Sequence, residues 1–131
     1  MEKLTHVNVL IPIQAVSEAN AREHWRVKAK RVREQKDWVA LKLLEISPKA
    51  SFQLPAEVSF TRYGIRDLDS DNLAGSFKAI RDAVALWLGC GDGPSDPVVW
   101  LYAQLPLKKV TSLALSNKGW KFAIQIEIKC Q

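Results

Sequence analysis

The chain has 131 residues and a formal net charge of +5, with 47% apolar and 25% charged residues. This balance is typical of one globular domain that buries a core without disulfides, and Cys90 and Cys130 lack the spacing of a zinc site. We therefore expect a single domain over residues 1–131. No apolar run resembles a secretory leader, so we also expect the protein to stay in the cytoplasm. The positive charge indicates a polyanionic partner only weakly, because solvated lysines are common.

The first predicted elements are a strand and a long helix. Residues 4–14 alternate between apolar and polar side chains, which predicts the strand. The helix is predicted from Ser17 to Ile46, and Asn20 and Glu23 have the spacing of a capping box. Apolar residues at helical spacing predict its core-facing stripe: Ala21, Trp25, Ala29, Val32, Val39 and Leu43.

Basic residues concentrate in the first half of this helix, where seven lie between Arg22 and Lys36. At about 100° per residue, four of them fall on one side, beside the apolar stripe: Arg22, Arg26, Lys30 and Arg33. Such a face is either a solvated helix surface or a phosphate-contacting surface. The helix alone does not decide between the two.

The remaining elements alternate. We predict a strand over 57–63, a helix from about Asn72 to Leu88, a turn-rich loop over 89–97, and strands over 98–104 and 120–129. The buried face of the second helix is predicted to comprise Leu73, Phe77, Ile80, Val84 and Trp87 or Leu88. This order predicts an α+β fold, in which a small mixed sheet carries one long basic N-terminal helix and a second helix.

An acidic stretch, RDLDSDNLAGSFK from Arg66 to Lys78, precedes the second helix. Asp69 and Asp71 are two residues apart, so in extended chain their side chains point to the same side. Converging carboxylates repel unless a cation lies between them, and Mg²⁺ accepts one or two carboxylates together with waters and phosphate oxygens. The structural alternative is that Asp71 caps the helix while Asp67 or Asp69 only adds favourable charge.

The second helix offers further candidates. Asp71, Gly75, Lys78 and Asp82 are predicted to share the face opposite its apolar stripe. Gly75 leaves that face open to a close neighbour, although Gly75 and Gly91 together also raise the alternative of an inactive DNA-binding protein. Lys78 either contacts a phosphate or forms an i,i+4 pair with Asp82.

A third carboxylate is expected from the loop after the helix, where Asp92 and Asp96 are the candidates. A helix over 72–88 spans about 25 Å, which places this loop far from Asp71. Either the chain doubles back or a two-fold partner supplies its Asp92 to Asp69 and Asp71, and we favour the partner.

Four motifs in this order resemble the RusA-type Holliday-junction endonucleases, a family common in phages and prophages. They are NAREHW at 20–25, LDSDNL at 68–73, FKAIRDAVALWLG at 77–89, and an acidic loop at Asp92 followed by a strand. The resemblance extends from about Ser17 to Gln104.

The resemblance implies a RusA-like, magnesium-dependent, homodimeric endodeoxyribonuclease of DNA recombination and repair in a bacterial host cell. Such an enzyme resolves four-way junctions by paired nicks, and Mn²⁺ can replace Mg²⁺. By matching position, Asp69, Asp71 and Asp92 are similar to the family's catalytic, metal-binding carboxylates, with Asp96 as the alternative third ligand, and Lys78 is similar to its helix lysine. The expected DNA-contacting residues are Arg22, Arg26, Lys30, Arg33 and Arg66.

Three features depart from the family pattern. Gly91 stands where the family often has an aspartate, Lys78 lies about one helical turn further along, and residues 105–119 form a longer ending. One alternative is therefore a catalytically inactive branched-DNA-binding protein. Another is an interaction module whose basic helix meets an acidic protein or a membrane surface.

Overall fold

The computed structural model describes residues 3–17, 24–47, 52–64, 66–91, 93, 95–106 and 122–131. They form three helices and four strands. The elements in chain order are β1 His6–Ile11, α1 Trp25–Ile46, β2 Ala56–Gly64, α2 Ser70–Ser76, α3 Lys78–Leu88, β3 Val98–Pro106 and β4 Ala123–Cys130. The predicted α+β class is confirmed.

The strands form one mixed sheet in the order β1-β4-β2-β3. β4 lies antiparallel to both β1 and β2, whereas β2 and β3 are parallel and are joined by α2 and α3. Their register pairs Ala56 with Val98 at one edge of the sheet and Gly64 with Pro106 at the other. The segment that follows β2 therefore starts at one edge of the sheet, and the segment that leads into β3 ends at the opposite edge.

One face of the sheet packs against the helices. Along β2 the side chains of Ala56, Val58 and Phe60 are fully buried, as the period of two requires. The Phe60 ring stacks on Phe77, which lies between α2 and α3, with 5.0 Å between ring centroids. The core thus anchors the point where the two helices meet.

The second helix was predicted as one element, but the structure divides it at Phe77. This residue is the C-cap of α2 and the N-cap of α3, with φ −100° and ψ 7°. Its amide N–H donates to the carbonyl of Ala74, in the tighter i to i−3 pattern that closes a helical turn. The Phe77 ring is fully buried against Phe60, and the ψ of Phe77, 7°, departs from the helical value, which interrupts the helix there.

The first helix also differs from its prediction. Ser17 is not helical, and α1 begins at Trp25, where Nδ1 of His24 accepts a hydrogen bond from the amide of Arg26 at 3.2 Å. Asn20, Glu23 and Ala21 lie outside the described residues. Val39 and Leu43 are buried as predicted.

The N-terminal part of the predicted stripe is wrong. Trp25 is 67% exposed and Ala29 is also exposed, whereas Val32 is half-buried. The guanidinium of Arg26 lies over the Trp25 ring at 5.1 Å, so a cation rather than the core covers part of this indole. Helical spacing located the stripe, but packing covers only its second half. No helix in the described ranges combines the length and apolar character that a bilayer crossing requires.

Candidate functional site

The acidic segment, residues 66–71, connects the end of β2 with the start of α2. Asp69 is the N-cap of α2, because its Oδ1 accepts a hydrogen bond from the amide of Asn72 at 3.0 Å. Its carbonyl accepts the first intrahelical bond, from the amide of Leu73 at 2.8 Å. The helix begins at Ser70, two residues earlier than predicted, so the cap is Asp69 rather than Asp71.

Asp71 lies in the first turn of α2, where a carboxylate interacts favourably with the helix dipole. We expected the side chains of Asp69 and Asp71 to point to the same side, as they would in extended chain. The backbone of Asp71 is helical, so that expectation does not apply. Both side chains are exposed. The pair therefore remains accessible to solvent and to a substrate, with one oxygen of Asp69 committed to the cap.

Two strand residues that sequence reasoning missed hold this segment in place. Gln104, on β3, donates from Nε2 to the Leu68 carbonyl at 2.6 Å and accepts from the Leu68 amide at 2.9 Å. Arg62, on β2, donates from Nη1 to the Arg66 carbonyl at 2.7 Å. The contacts of Gln104 depend on the parallel pairing of β2 and β3, for which the sequence carries no local signal, whereas Arg62 and Arg66 are only four residues apart.

Arg62 also links the segment to the chain after β1, since its Nε donates to the Ala15 carbonyl at 3.3 Å. Burial lowers the pKa of the Arg62 guanidinium, and the charge of Asp67 opposes that shift. The carboxylate of Asp67 therefore acts electrostatically on Arg62. Arg62 thus ties the acidic segment to the chain after β1.

The loop after α3 lies at the other edge of the sheet. It leads into Val98, which pairs with the first residue of β2, whereas Asp69 follows the last residue of β2. A nine-residue strand spans roughly 30 Å, so Asp96 of the same chain does not reach an ion held by Asp69 and Asp71. Within the described parts of one chain, no three histidine, cysteine or acidic side chains group as metal ligands.

Asp96 instead organises its own loop. Its Oδ1 accepts a hydrogen bond from the Gly91 amide at 3.2 Å, and its Oδ2 accepts one from the Gly93 amide at 2.9 Å. A side chain added at Gly91 would come within 2.8 Å of this carboxylate. This contact is with the end of a flexible side chain, so a side chain at position 91 would require the Asp96 carboxylate to move. Asp92 lies outside the described residues, so its predicted role as third ligand stays a prediction.

Lys78 is the first residue of α3, and its side chain is exposed beside α1. Together with Lys28 and Lys36 it lines an open notch between the two helices. Asp82, predicted to pair with Lys78, lies 3.9 Å from Nζ of Lys36. The break at Phe77 therefore groups Lys78 with lysines of α1 rather than with Asp71.

The predicted basic face of α1 is exposed at Arg26, Lys30 and Arg33, whereas Arg22 lies outside the described residues. At about 100° per residue, these three side chains lie roughly 120° to 180° around the helix from the buried Val39. The face is therefore opposite the packed side of α1, not beside it as predicted. Arg66 is also exposed, at the acidic segment.

The oxygen donors at the acidic segment suit a hard cation. Mg²⁺ keeps several of its waters and uses only one or two protein carboxylates, which Asp69 and Asp71 can supply. Among the described residues, Oδ2 of Asp69 accepts no hydrogen bond, so that oxygen is open to a ligand.

The chain matches no protein-family model, and no curated protein matches it.

Proposed function

We propose that the protein is a magnesium-dependent endodeoxyribonuclease that resolves four-way, or Holliday, DNA junctions by paired phosphodiester hydrolysis. The observation that carries the proposal is an exposed pair of carboxylates, Asp69 and Asp71, on a segment held by side chains from β2 and β3. Support of this kind restricts the motion of side chains that must bind a cation and a substrate together. The motif around the pair, LDSDNL, is the one that resembles the RusA-type enzymes.

In this proposal, Asp69 and Asp71 bind Mg²⁺, and Asp92 of a two-fold partner completes the set. When bound, the ion supplies Lewis-acid polarisation of the scissile phosphate and a more acidic water. A hydroxide equivalent attacks phosphorus, the bond to the leaving nucleotide oxygen breaks, and that oxygen takes up a proton. Lys78 contacts a phosphate, and Arg22, Arg26, Lys30, Arg33 and Arg66 contact the DNA backbone.

Junction cleavage by three matched variants tests the proposal. Asp69→Asn keeps an N-cap, because asparagine caps helices as well as aspartate, but removes a charged metal ligand. Asp71→Asn also removes a charged metal ligand, at a residue that is not the helix cap. Asp67→Asn is the control from the same segment. We expect the first two to lose at least about 100-fold in nicking rate with Mg²⁺, as when a ligand or its support is lost. Asp67→Asn should stay within about threefold.

The control for folding is the thermal melting temperature of each variant. Unchanged cleavage by Asp71→Asn would contradict the proposed metal site. Nicks that require neither Mg²⁺ nor Mn²⁺ would contradict metal dependence.

The second candidate is a catalytically inactive protein that binds branched DNA. One observation favours it: in the described part of a single chain, Asp69 and Asp71 have no third metal-binding side chain beside them. In that case the wild-type protein binds a synthetic junction and leaves it intact with either ion. Binding and cleavage are therefore measured on the same substrate.

A further inference from the structure

We propose that the notch between α1 and α3 is a contact surface for the phosphate backbone of nucleic acid, an inference that rests on the proposed function. The notch is a depression of about 220 Å³ lined by Lys28, Val32, Lys36, Lys78, Ala79 and Asp82. Val32 and Ala79 are its apolar residues, and the others are charged. Its two α1 lysines, Lys28 and Lys36, do not belong to the basic face that the sequence analysis predicted on α1.

The position of the lysines on α1 is unusual for a packed helix. At about 100° per residue, Lys28 lies roughly 20° and Lys36 roughly 60° around the helix from Val39, which is fully buried. The side of α1 that is apolar lower down thus becomes cationic where it faces the start of α3. Apolar residues normally continue along such a side, so helix packing alone does not account for the two lysines.

The lining of the notch carries more positive than negative charge. Among the described residues, three ammonium groups and one carboxylate line it, which gives a formal excess of two positive charges. The ion pair between Lys36 Nζ and Asp82 Oδ2 is 3.9 Å long, and its side chains are 46% and 41% exposed. Exposed pairs of this length contribute little, because water and salt screen them. The notch therefore presents a concave, positively charged surface.

The position of the notch relative to the acidic segment favours a nucleic-acid backbone as its partner. Lys78 follows α2, and α2 follows Asp69, so one helix of seven residues separates the notch from the carboxylates. That helix is about 10 Å long, or roughly three nucleotide steps of B-DNA. A strand held in the notch at one phosphate can thus place another phosphate at Asp69 and Asp71.

Two triple variants of equal charge test the inference. The notch variant is Lys28→Gln/Lys36→Gln/Lys78→Gln, and the matched control from the solvent face is Arg26→Gln/Lys30→Gln/Arg33→Gln. Junction affinity is measured with Ca²⁺ in place of Mg²⁺, across a range of salt concentrations. We expect the notch variant to bind at least about tenfold more weakly, with a clearly shallower salt dependence because fewer counterions are released, and to lose more than the control.

Asp82→Asn adds a test in the opposite direction. It removes the carboxylate that lines the notch, so junction affinity should rise about two- to fivefold. Melting temperatures show whether each variant folds. A notch variant within twofold of wild type, or a larger loss in the solvent-face control, would overturn the inference while leaving the nuclease proposal intact. Absence of junction binding by the wild-type protein would overturn both.

Discussion

At the scale of single residues, Asp69 combines an observed role as helix cap with a proposed role as metal ligand, and the two depend on different oxygens. Oδ1 caps α2 through the Asn72 amide, and the proposed cation needs an oxygen that the cap does not use. Asp71 has no such structural duty, since its charge contributes only to the first turn of the helix. Asparagine substitutions therefore separate metal binding from capping better than alanine substitutions do.

Gln104 provides the first residue-scale prediction. Gln104→Leu removes both hydrogen bonds to Leu68 and leaves the backbone N–H and C=O of this half-buried residue without that partner. We expect the free energy of unfolding to fall by about 1–3 kcal/mol in urea denaturation, and Mn²⁺ affinity to fall if Asp69 is a ligand. Gln125→Leu is a control, because it loses two side-chain hydrogen bonds in β4, away from the acidic segment. Equal Mn²⁺ binding in Gln104→Leu and wild type would contradict the positioning role.

Glu127 gives a prediction of pH dependence. The hydrogen bond from His6 Nε2 at 3.0 Å and the nearby Lys129 lower the pKa of the Glu127 carboxyl from 4.5, while slight burial opposes them. The folded pKa lies below the unfolded one, so the stabilisation is present above pH 4.5 and is lost as the pH falls through the folded pKa. Glu127→Gln should cost about 0.5 kcal/mol in urea unfolding at neutral pH, because the pair is partly exposed. The difference from wild type should shrink in acid, and a difference that grew there would contradict this assignment.

At the scale of elements, the break at Phe77 has the largest consequence. A continuous helix over 72–88 would have aligned Lys78 with Asp71 and Gly75 on one face. Division into α2 and α3 lets α3 pack against α1 independently, which brings Lys78 beside Lys36. The register of a helical face thus depends on whether the helix is continuous, and the backbone at Phe77 interrupts it here.

Two glycines of these helices predict opposite effects of alanine. Gly75 lies within α2, and a Cβ added there would meet no described atom beyond its own helical turn within 4 Å, so Gly75→Ala should stabilise the protein by about 0.5–1 kcal/mol. Gly89 caps α3 with φ 75°, a left-handed conformation that costs other residues about 1–2 kcal/mol. Gly89→Ala should therefore destabilise by about that amount. Urea denaturation measures both, and the same sign of change in the two variants would contradict the assigned backbone conformations.

At the scale of the whole molecule, strand order separates the two sources of acid. The parallel pairing of β2 with β3 puts residues 66–71 at one edge of the sheet and Asp96 at the other. A single chain therefore does not bring them to one ion, which leaves a two-fold partner as the proposed source of the third ligand. The proposal of a dimer thus rests on topology rather than on any apolar surface.

Complementation tests this composite site. Asp71→Asn and Asp92→Asn are each expected to be inactive as homodimers. In a mixed dimer with shared sites, one site carries both substitutions and the other carries neither, so single nicking of a junction should return after the two variants are refolded together. Sites built within one chain would each keep one substitution, and the mixture would stay inactive. Refolding each variant alone is the control.

Local sequence patterns predicted much of the secondary structure of this protein. Alternation and helical spacing located all four strands and both helical regions, because a side chain's burial follows from the period of its own element. They also identified Asp69, Asp71 and the exposed Arg26, Lys30 and Arg33 as candidates. Local patterns did not predict the exact cap, the exposure of Trp25 or the helix break at Phe77. Each of these features depends on the residues that surround the element.

Only the tertiary structure decided which candidates lie together. Gln104 contacts Leu68 across 36 positions of sequence because β2 and β3 pair in parallel, and Lys78 meets Lys36 because α3 packs on α1. The same packing turns Lys30 to the solvent side of α1, away from the notch. Sequence spacing determines which face of its own element a residue occupies, whereas long-range packing determines what that face meets. The exposed carboxylates of the acidic segment were therefore identifiable from the sequence, whereas its supports and its charged neighbours were not.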